Sequence, residues 1–286
     1  MLEILLLTIT ITYLVIASIS DLKTKEVPDF ISYSLIIIAL TLRLLYSLTT
    51  KDFTYLIQGL IGFAIFVALA FLFYYTKIWG GGDAKLLMGL GAVFPTYPKI
   101  LLNYFIPNLN LPFLLILIIN ILIIGSIYGI LWSIILATMN KKQFLKEIKP
   151  IYTKYKLLTS LFLILSILIL SSILIIPETK IKLMMLALSI IVLIYPYLII
   201  FTKTIEKSCL IKNTDIGDLT EGDWLAKDVK SNNKVILSKR ITEIEKKHIQ
   251  LLKKHKIKKV LIKQGIPFIP SFLLSVIISL ILGSLI

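Results

Sequence analysis

Eight long apolar stretches dominate this sequence and leave little room for any fold outside a membrane. A helix needs about 20 consecutive apolar residues to cross the hydrocarbon core of a bilayer. The segments that meet this criterion are 2–20, 30–48, 53–76, 84–105, 111–138, 156–176, 181–202 and 266–286. With 57% hydrophobic residues, the chain is also more apolar than soluble globular domains, in which apolar residues make up about half. The sequence therefore predicts an all-α multi-pass membrane protein with about eight transmembrane helices.

The placement of basic residues predicts how these segments are oriented. Cytoplasmic loops of membrane proteins are enriched in Lys and Arg. If the end of the first segment at Asp21 faces the cytoplasm, most of the 31 basic residues fall on the cytoplasmic side, with large groups at 141–156 and 203–263. We therefore expect a protein of the cell membrane whose N-terminus lies outside. No basic residue precedes the first apolar segment, so a cleaved signal peptide is not expected.

A polar stretch at 203–264 interrupts the apolar pattern. Short alternating runs in it predict strands, and a longer run with helical spacing predicts a helix. The predicted elements are strands at 224–229, 234–237 and 257–263, a turn at Ser231-Asn232-Asn233 and a helix at 242–256. Together they indicate a small cytoplasmic α+β domain. The predicted organisation is a transmembrane domain of about seven spans at 1–202, the cytoplasmic domain at 203–264 and a last transmembrane helix at 265–286.

Segment 84–105 is unusual because glycine and proline residues interrupt it. Its continuous helical part is expected to be about a dozen residues, ~17 Å long, which is short for a span. A break in a membrane helix is tolerated only where protein or water satisfies the exposed backbone groups. The interrupting residues are Gly89, Gly91, Pro95 and Pro98.

Asp83 is the acidic residue that stands out in the apolar part of the chain. Between residues 30 and 200 the other acids, which are Asp52, Glu147 and Glu178, lie in short polar connections. An acid at hydrocarbon depth is costly and usually functional. Three glycines precede Asp83, and because they lack a Cβ they allow another backbone to come close. The alternative is a flexible turn in which Asp83 is the N-cap of the next helix, and the residues alone do not decide between these interpretations.

Asp21, at the cytoplasmic end of the first segment, is the candidate partner of Asp83. The parity of the segments places both acids at the same membrane face. Two nearby carboxylates can share one proton, so that the ionised one activates a water molecule and the protonated one polarises a carbonyl group. A solvated helix end is the competing interpretation of Asp21. This chemistry needs no metal or cofactor, and the single Cys209 with His248 and His255 in the polar domain does not predict a metal site in the membrane.

The two acids lie in motifs that resemble those of the type IV prepilin peptidase family. The sequence GGGDAKLLMGLG at 80–91 resembles the GxGD motif of that family and the helix that follows it. The sequence DLKTKEVPD at 21–29 resembles its first-aspartate motif. Both occur in order and at the right separation over roughly residues 1–100. Residues 219–224 and 265–270 are similar to the inside domain and last span of archaeal prepilin and preflagellin peptidases.

The resemblance implies a GxGD-type aspartic protease without a cofactor. Its catalytic pair would be Asp21 and Asp83. The motif residues that support them would be Gly80, Gly81, Gly82 and Lys85. Such an enzyme cuts the short basic leader of pilin-like or archaellin-like precursors at the cytoplasmic membrane face, so the expected partners are a prepilin or preflagellin precursor and the lipid bilayer. The cysteine-rich zinc segment of many bacterial members is absent, and methylation is not predicted.

Two other functional classes have to be weighed against a protease. A proton- or cation-coupled transporter could use Asp21 and Asp83 as ion-binding groups beside a broken helix. A carrier would place them near the middle of the bilayer, whereas both are predicted at its cytoplasmic edge. A nucleic-acid-binding module is not expected, because the basic residues at 203–263 are interspersed with acids and lack interleaved aromatic residues.

Overall fold

The computed structural model of the protein describes residues 1–231, 234–239, 241, 243–255 and 257–286. In these ranges six helices are long and apolar enough to cross a membrane. They are α1 (Leu2–Thr24), α2 (Asp29–Thr50), α3 (Thr54–Tyr75), α5 (Phe113–Met139), α6 (Lys141–Ser172) and α7 (Thr179–Ile205). The structure thus confirms a mostly helical protein with several apolar helices of membrane-spanning length.

The remaining two predicted spans are shorter helices, which are α4 (Gly81–Val93) and α9 (Ile269–Ile281). Each has 13 residues and is therefore ~20 Å long, against about 30 Å of hydrocarbon core. The helix predicted to begin segment 84–105 ends at Val93, and the chain continues through a 3₁₀ turn at Lys99–Asn103. The count of eight full-length spanning helices is therefore not reproduced in the described part of the chain, where six have that length.

Arg43 of α2 explains how the early end of α4 is tolerated. The last carbonyl groups of a helix have no partner within the helix. The Arg43 guanidinium, 6% exposed, donates to the carbonyl oxygens of Ala92 at 2.8 Å and Val93 at 2.7 Å. Its third hydrogen bond, of 3.0 Å, goes to the carbonyl oxygen of Tyr55. A buried cation therefore satisfies the free carbonyl groups at the point where the helix stops.

The short helix α9 is held between α1 and α5 by buried polar contacts. The Asn120 side chain of α5 donates from Nδ2 to Ser279 Oγ and to the Gly283 carbonyl oxygen, both at 2.8 Å. The Tyr97 hydroxyl donates to the Leu280 carbonyl oxygen at 2.7 Å. Apolar residues of α1, α2, α3, α4, α5 and α9 share one core. The C-terminal helix is therefore part of the same packed unit as the helices that carry the two aspartate motifs.

Helix α6 begins earlier than the sequence predicts. The lysine-rich stretch 141–156, predicted as a loop, forms its first turns, and Asn140 alone separates α6 from α5. Lys, Gln, Glu and Leu are good helix formers, which accounts for the longer helix despite Pro150 within it. Helices α6 and α7 lie against each other, with Ser166 Oγ donating to the Ser189 carbonyl oxygen at 2.9 Å.

The polar stretch after α7 forms a small α+β unit. Its elements are β1 (Ile211–Asp215), β2 (Trp224–Leu225), β3 (Val229–Ser231), β4 (Lys234–Leu237), α8 (Lys246–Lys254) and β5 (Lys259–Lys263). Strand β5 pairs antiparallel with β1 on one side and β2 on the other, while β3 and β4 form a separate antiparallel pair. A small apolar core joins these elements, as expected for an independent hydrophobic cluster.

The local structure of this unit differs from the prediction at several places. Strand β1 was not predicted, and the predicted strand 224–229 is divided between β2 and β3. The predicted helix 242–256 is shorter, because the Ile244 amide donates to the Asp223 carbonyl oxygen at 2.8 Å and holds that part of the chain extended. Parts of these predictions lie outside the described residues, namely the turn at Asn232 and Asn233 and the helix ends at Thr242 and Lys256.

Candidate active site

The connection between α3 and α4 brings Asp83 to the site. Lys77, with a φ of 58°, reverses the chain after α3, and the amides of Ile78 and Trp79 both donate to the Phe73 carbonyl oxygen, at 3.0 and 3.3 Å. The Trp79 side chain is 4% exposed and packs on the ring of Phe73 with 4.4 Å between ring centroids. It also contacts Phe272 of α9. The aromatic contacts fix the loop from which α4 starts.

Asp83 is the third residue of α4, and Gly80 is the N-cap. The alternative interpretation of the sequence, in which Asp83 is the N-cap of this helix, is therefore wrong, because the N-cap lies three residues earlier. Asp83 Oδ2 accepts a hydrogen bond of 3.1 Å from the Gly80 amide. A carboxylate in the first turn of a helix is also favoured by the partial positive charge there. The carboxyl group is thus held at the helix start, while its other oxygen has no hydrogen bond to a described residue.

Asp21 lies in the last turn of α1 and is 5% exposed. Its Oδ2 accepts a hydrogen bond of 2.8 Å from the Ile269 amide, which is the first residue of α9. The chain leaves α1 at Lys25, which has a φ of 59°. The Lys25 backbone amide donates a hydrogen bond to the Asp21 carbonyl oxygen, and this turn directs the chain away from the helix axis. Asp21 is therefore positioned both by α1, which carries it, and by the first amide of α9, which binds its carboxylate.

The two aspartate motifs contact each other directly. A Cβ added to Gly82 would lie 3.3 Å from Val27 Cβ, so a glycine at this position allows the first motif to approach α4. Lys85 forms an ion pair of 2.6 Å with Asp29. Its ammonium group also lies 5.4 Å from the centre of the Tyr33 ring. These contacts hold the start of α2 against α4 beside the two aspartates.

Asp21 and Asp83 line one cavity of about 1130 Å³. The α+β unit forms much of its other wall and contacts both motifs. Thr220 Oγ1 donates to Glu26 Oε1 at 2.7 Å, and Lys25 Nζ donates to Gln264 Oε1 at 3.1 Å. The cavity thus lies between the ends of the apolar helices and the α+β unit, the polar unit of the chain.

The cavity wall is acidic although the whole chain has a net charge of +15. Nine acids and four lysines line it, counted over the part of the chain that the structure describes. The acids are Asp21, Glu26, Asp29, Asp83, Asp218, Glu221, Asp223, Glu243 and Glu245. Burial raises the pKa of Asp223, and burial together with the nearby charge of Lys212 lowers the pKa of Lys25. The cost of a charge away from water is the main cause of both shifts, and repulsion from the like charge of Lys212 adds to that of Lys25.

All six site residues named from the sequence lie on this cavity, and the structure adds residues that the sequence did not indicate. Ile269 and Glu243 contact the two motifs from positions far along the chain. Glu26 lies within the first motif, and its charge is the feature of the sequence that could have indicated it as a site residue. Nothing in the sequence around Glu243 marks it as a contact of the glycine loop. In the described ranges no group of three or more His, Cys, Asp or Glu side chains is placed to hold a metal ion.

Comparison with known proteins finds relatives for the region that contains both aspartates. Residues 8–137 match the type IV leader peptidase family. The preflagellin peptidase of Methanocaldococcus jannaschii is 42% identical over 84 residues, which are 29% of this chain and 36% of that protein. The preflagellin peptidase of Methanococcus voltae is 39% identical over the same shares.

The match covers only part of each protein. It spans about a third of the length of these curated relatives, and helices α6 and α7 and the α+β unit lie outside residues 8–137. No solved structure matches the chain significantly. Over residues 8–137 the resemblance indicated by the two aspartate motifs is thereby confirmed, since this region matches the type IV leader peptidase family.

Proposed function

We propose that this protein is a membrane-embedded aspartic endopeptidase that cleaves the leader peptides of preflagellin-like or prepilin-like precursors. The observation that carries the proposal is the single cavity shared by Asp21 and Asp83, within the region that matches leader peptidases. Each aspartate lies in a terminal turn of its helix and not midway along it. This placement favours chemistry at the membrane face over ion transport through the bilayer.

The two carboxyl groups would share one proton between them. The ionised group takes a proton from a water molecule as the water oxygen attacks the carbonyl carbon of the scissile peptide bond. The protonated group hydrogen-bonds the carbonyl oxygen and stabilises the negative charge that develops on it. Collapse of the tetrahedral intermediate breaks the C–N bond, and a carboxyl group returns a proton to the departing amine. Gly80, Gly81 and Gly82 shape the backbone beside Asp83, and Lys85 holds the first motif through Asp29.

The size and charge of the cavity support a basic peptide as substrate. Pockets for drug-sized molecules are about 300–1,000 Å³, and this cavity of about 1130 Å³ is larger. Acids outnumber lysines on its described wall. Opposite charge at a binding surface speeds association and selects partners. A short leader rich in Lys or Arg, followed by the apolar segment of a precursor in the membrane, fits these features.

We also propose the membrane arrangement that this function requires. Residues 1–202 form the transmembrane catalytic domain, 203–264 a cytoplasmic domain and 265–286 the last membrane segment. The N-terminus is outside the cell, and the short helices α4 and α9 complete eight crossings of the cell membrane. The lysine-rich groups at 141–156 and 203–263 support this orientation. A cysteine introduced at Lys51 should then be labelled from outside intact cells by a membrane-impermeant reagent, while one at Lys246 should not.

The proposed activity can be tested with purified enzyme in detergent or lipid vesicles. Candidate preflagellin and prepilin precursors are incubated with it, and the product is identified by N-terminal sequencing. We expect one cut at the end of the basic leader, and we expect it to persist after treatment with EDTA because the carboxyl pair needs no metal. Absence of cleavage of every such precursor, or inhibition by EDTA that zinc reverses, would contradict the proposal.

A further inference from the structure

Glu243 of the polar unit contacts the glycine loop that precedes Asp83. The Gly81 amide donates to Glu243 Oε1 at 3.2 Å. The Tyr74 side chain at the end of α3 also lies close to the Glu243 carboxylate. One acidic side chain thus joins the end of α3 to the start of α4 from a position 162 residues beyond Gly81.

The backbone around Glu243 is fixed by the core of the α+β unit. The next residue, Ile244, is 1% exposed and belongs to the apolar cluster of this unit. Its amide donates to the Asp223 carbonyl oxygen at 2.8 Å, and its carbonyl oxygen accepts from the Gly222 amide at 2.9 Å. Two backbone hydrogen bonds and a buried side chain therefore fix Ile244, and with it the position from which Glu243 contacts the glycine loop before Asp83.

A second contact joins the same two segments. Lys77 Nζ donates to the Ile241 carbonyl oxygen at 2.9 Å. One short segment of the polar unit therefore holds the connection between α3 and α4 by hydrogen bonds to Lys77 and Gly81. Within the connection the Trp79 side chain packs inward and is 4% exposed, whereas Ile78 is 60% exposed.

The two neighbouring backbone amides at the start of α4 donate hydrogen bonds to two different carboxylates. The Gly80 amide donates to Asp83 and the Gly81 amide donates to Glu243. Amides in the first turn of a helix have no partner within the helix, and they attract negative charge. Without Glu243, the Gly81 amide loses its acceptor and becomes free to compete for the Asp83 carboxylate. The direction of the Asp83 side chain would then change.

From these contacts we propose that Glu243 is a positioning residue, which fixes the Gly80-Gly81-Gly82 loop and through it the carboxyl group of Asp83. The polar unit would thus complete the catalytic geometry of the membrane helices without touching the reacting atoms. The proposal rests on the proposed function, because the geometry matters for cleavage only if Asp83 is catalytic.

The test compares two substitutions that differ in one property. Glu243→Gln keeps an oxygen acceptor for the Gly81 amide, whereas Glu243→Ala removes it. A misplacement of about 1 Å at a catalytic group costs roughly a hundredfold in rate. We expect Glu243→Ala to lower kcat for precursor cleavage about tenfold to a hundredfold with KM within a factor of about two. We expect Glu243→Gln to retain most of kcat. Asp215→Ala, which removes an exposed acid paired with Lys259 outside the cavity, should leave both constants unchanged.

Hydrogen–deuterium exchange gives a measurement that does not depend on activity. The peptide that covers residues 78–84 should exchange faster in Glu243→Ala than in the unaltered protein or in Glu243→Gln. Unchanged exchange and unchanged kcat in Glu243→Ala would overturn the proposal. Equal damage by Gln and Ala with a raised KM would also overturn it, because Glu243 would then act as a charge on the substrate. If Asp83→Asn cleaves normally, the proposed function fails instead, whereas the exchange result still reports on the Glu243 contact.

Discussion

Asp21 and Asp83 are held by different backbone donors. The Ile269 amide of α9 binds one oxygen of Asp21, and the Gly80 amide binds one oxygen of Asp83. A hydrogen bond to a carboxylate favours its ionised form and fixes its rotamer. Both carboxyl groups line the same cavity, and the proposal that they act on one peptide bond rests on this arrangement. Substitution of Asp21 or Asp83 should therefore affect peptide cleavage and leave folding intact.

The first prediction concerns these two side chains. Asp21→Asn and Asp83→Asn should each lower precursor cleavage by about 10²–10⁴-fold, because an amide can neither accept the proton of water nor return one. Asn retains an oxygen that can accept the backbone hydrogen bond, so both variants should insert in the membrane and elute as the unaltered protein does. Cleavage is measured by the appearance of the processed product, with Asp215→Asn as the matched surface control. Normal processing by either variant would show that the two acids are not a catalytic pair.

A second prediction concerns Gly82, where the two motifs touch. A methyl group there would lie 3.3 Å from Val27 Cβ, which is tighter than ordinary van der Waals contact. Gly82→Val should therefore lower kcat about tenfold to a hundredfold, with a smaller effect of Gly82→Ala. Val27→Gly should restore part of the activity of Gly82→Ala, since it removes the Cβ and Cγ2 atoms that the added methyl group would meet. Gly217→Ala is the control, because a Cβ at Gly217 meets no atom within 4 Å.

The result of the double variant decides the interpretation. If Val27→Gly and Gly82→Ala combine additively, with no recovery, the contact between the motifs is not the reason for a glycine at position 82. Residues that interact directly are expected to show such coupling, whereas distant ones are additive.

The sequence allowed these residues to be found only in part. Asp21, Asp83 and the glycines were indicated by the cost of an acid in an apolar region and by two local motifs, both of which are readable along the chain. Glu243 and Ile269 were not indicated, because their roles depend on contacts with residues 162 and 248 positions away. A backbone amide such as that of Ile269 carries no information in its residue type. Tertiary contacts of this kind need the structure.

At the scale of elements, α4 shows how a short helix can be accommodated in an apolar protein. It ends after 13 residues at Val93, where the chain would expose free carbonyl groups. The sequence predicted the break from its glycines and prolines. It did not predict that Arg43, an apparently misplaced cation in a neighbouring apolar helix, would provide the partner for those carbonyl groups. Polar groups of that kind have to be satisfied by protein or water at membrane depth.

The third prediction is that Arg43 stabilises the fold by this contact. Arg43→Met would leave the carbonyl oxygens of Ala92 and Val93 at the end of α4 without their donor, and each unsatisfied buried polar group costs about 1–3 kcal/mol. We expect the thermal unfolding temperature in detergent to fall by about 5 °C or more. Arg43→Lys should have an intermediate effect, because an ammonium group lacks the fork geometry of guanidinium. Lys99→Met, at an exposed cation, serves as control, and an equal change in both Met variants would contradict the prediction.

The elements of the polar unit were less predictable than the apolar helices. Long apolar runs have few alternatives in a membrane, and the ends of their helices were predicted to within about five residues, except for the end of α4 and the start of α6. The segment around Ile244 has helical spacing, yet it is extended because its backbone bonds to the turn at Gly222 and Asp223. Strand β1 pairs with β5, which lies almost fifty positions later, and its sequence has no strong alternation. Periodicity describes one segment at a time and does not report such pairings.

At the scale of the whole molecule, charge is separated between the cavity and the rest of the chain. The protein carries a net charge of +15, but acids predominate on the described cavity wall. Lysines of the polar unit that lie elsewhere, such as Lys246 and Lys259, are well exposed. An anionic membrane surface would attract the basic exterior, at about 1 kcal/mol for each Lys or Arg near it. The acids on the cavity wall would attract the basic leader of the proposed substrate.

The last prediction is that two acids on the polar side of the cavity contribute to substrate binding through their charge. The double variant Asp218→Asn with Glu221→Gln should raise KM for a precursor with a basic leader several-fold at low salt, because two opposite charges are lost from the binding surface. The value of kcat should be unchanged, since neither side chain approaches the aspartate pair by a hydrogen bond. The effect should shrink at 0.5 M salt, because exposed charges are then screened over only a few ångströms.

A matched substrate and a matched enzyme separate this charge effect from a loss of folding. A precursor whose leader lysines are replaced by glutamine should be cleaved with the same KM by the double variant and the unaltered enzyme. Asp215→Asn with Asp228→Asn removes the same charge from the polar unit outside the cavity and should leave KM unchanged. If that pair raises KM as much as Asp218 and Glu221 do, the net charge of the unit and not the cavity wall controls association. The two double variants should differ in KM only if the position of the acids on the cavity wall determines substrate binding.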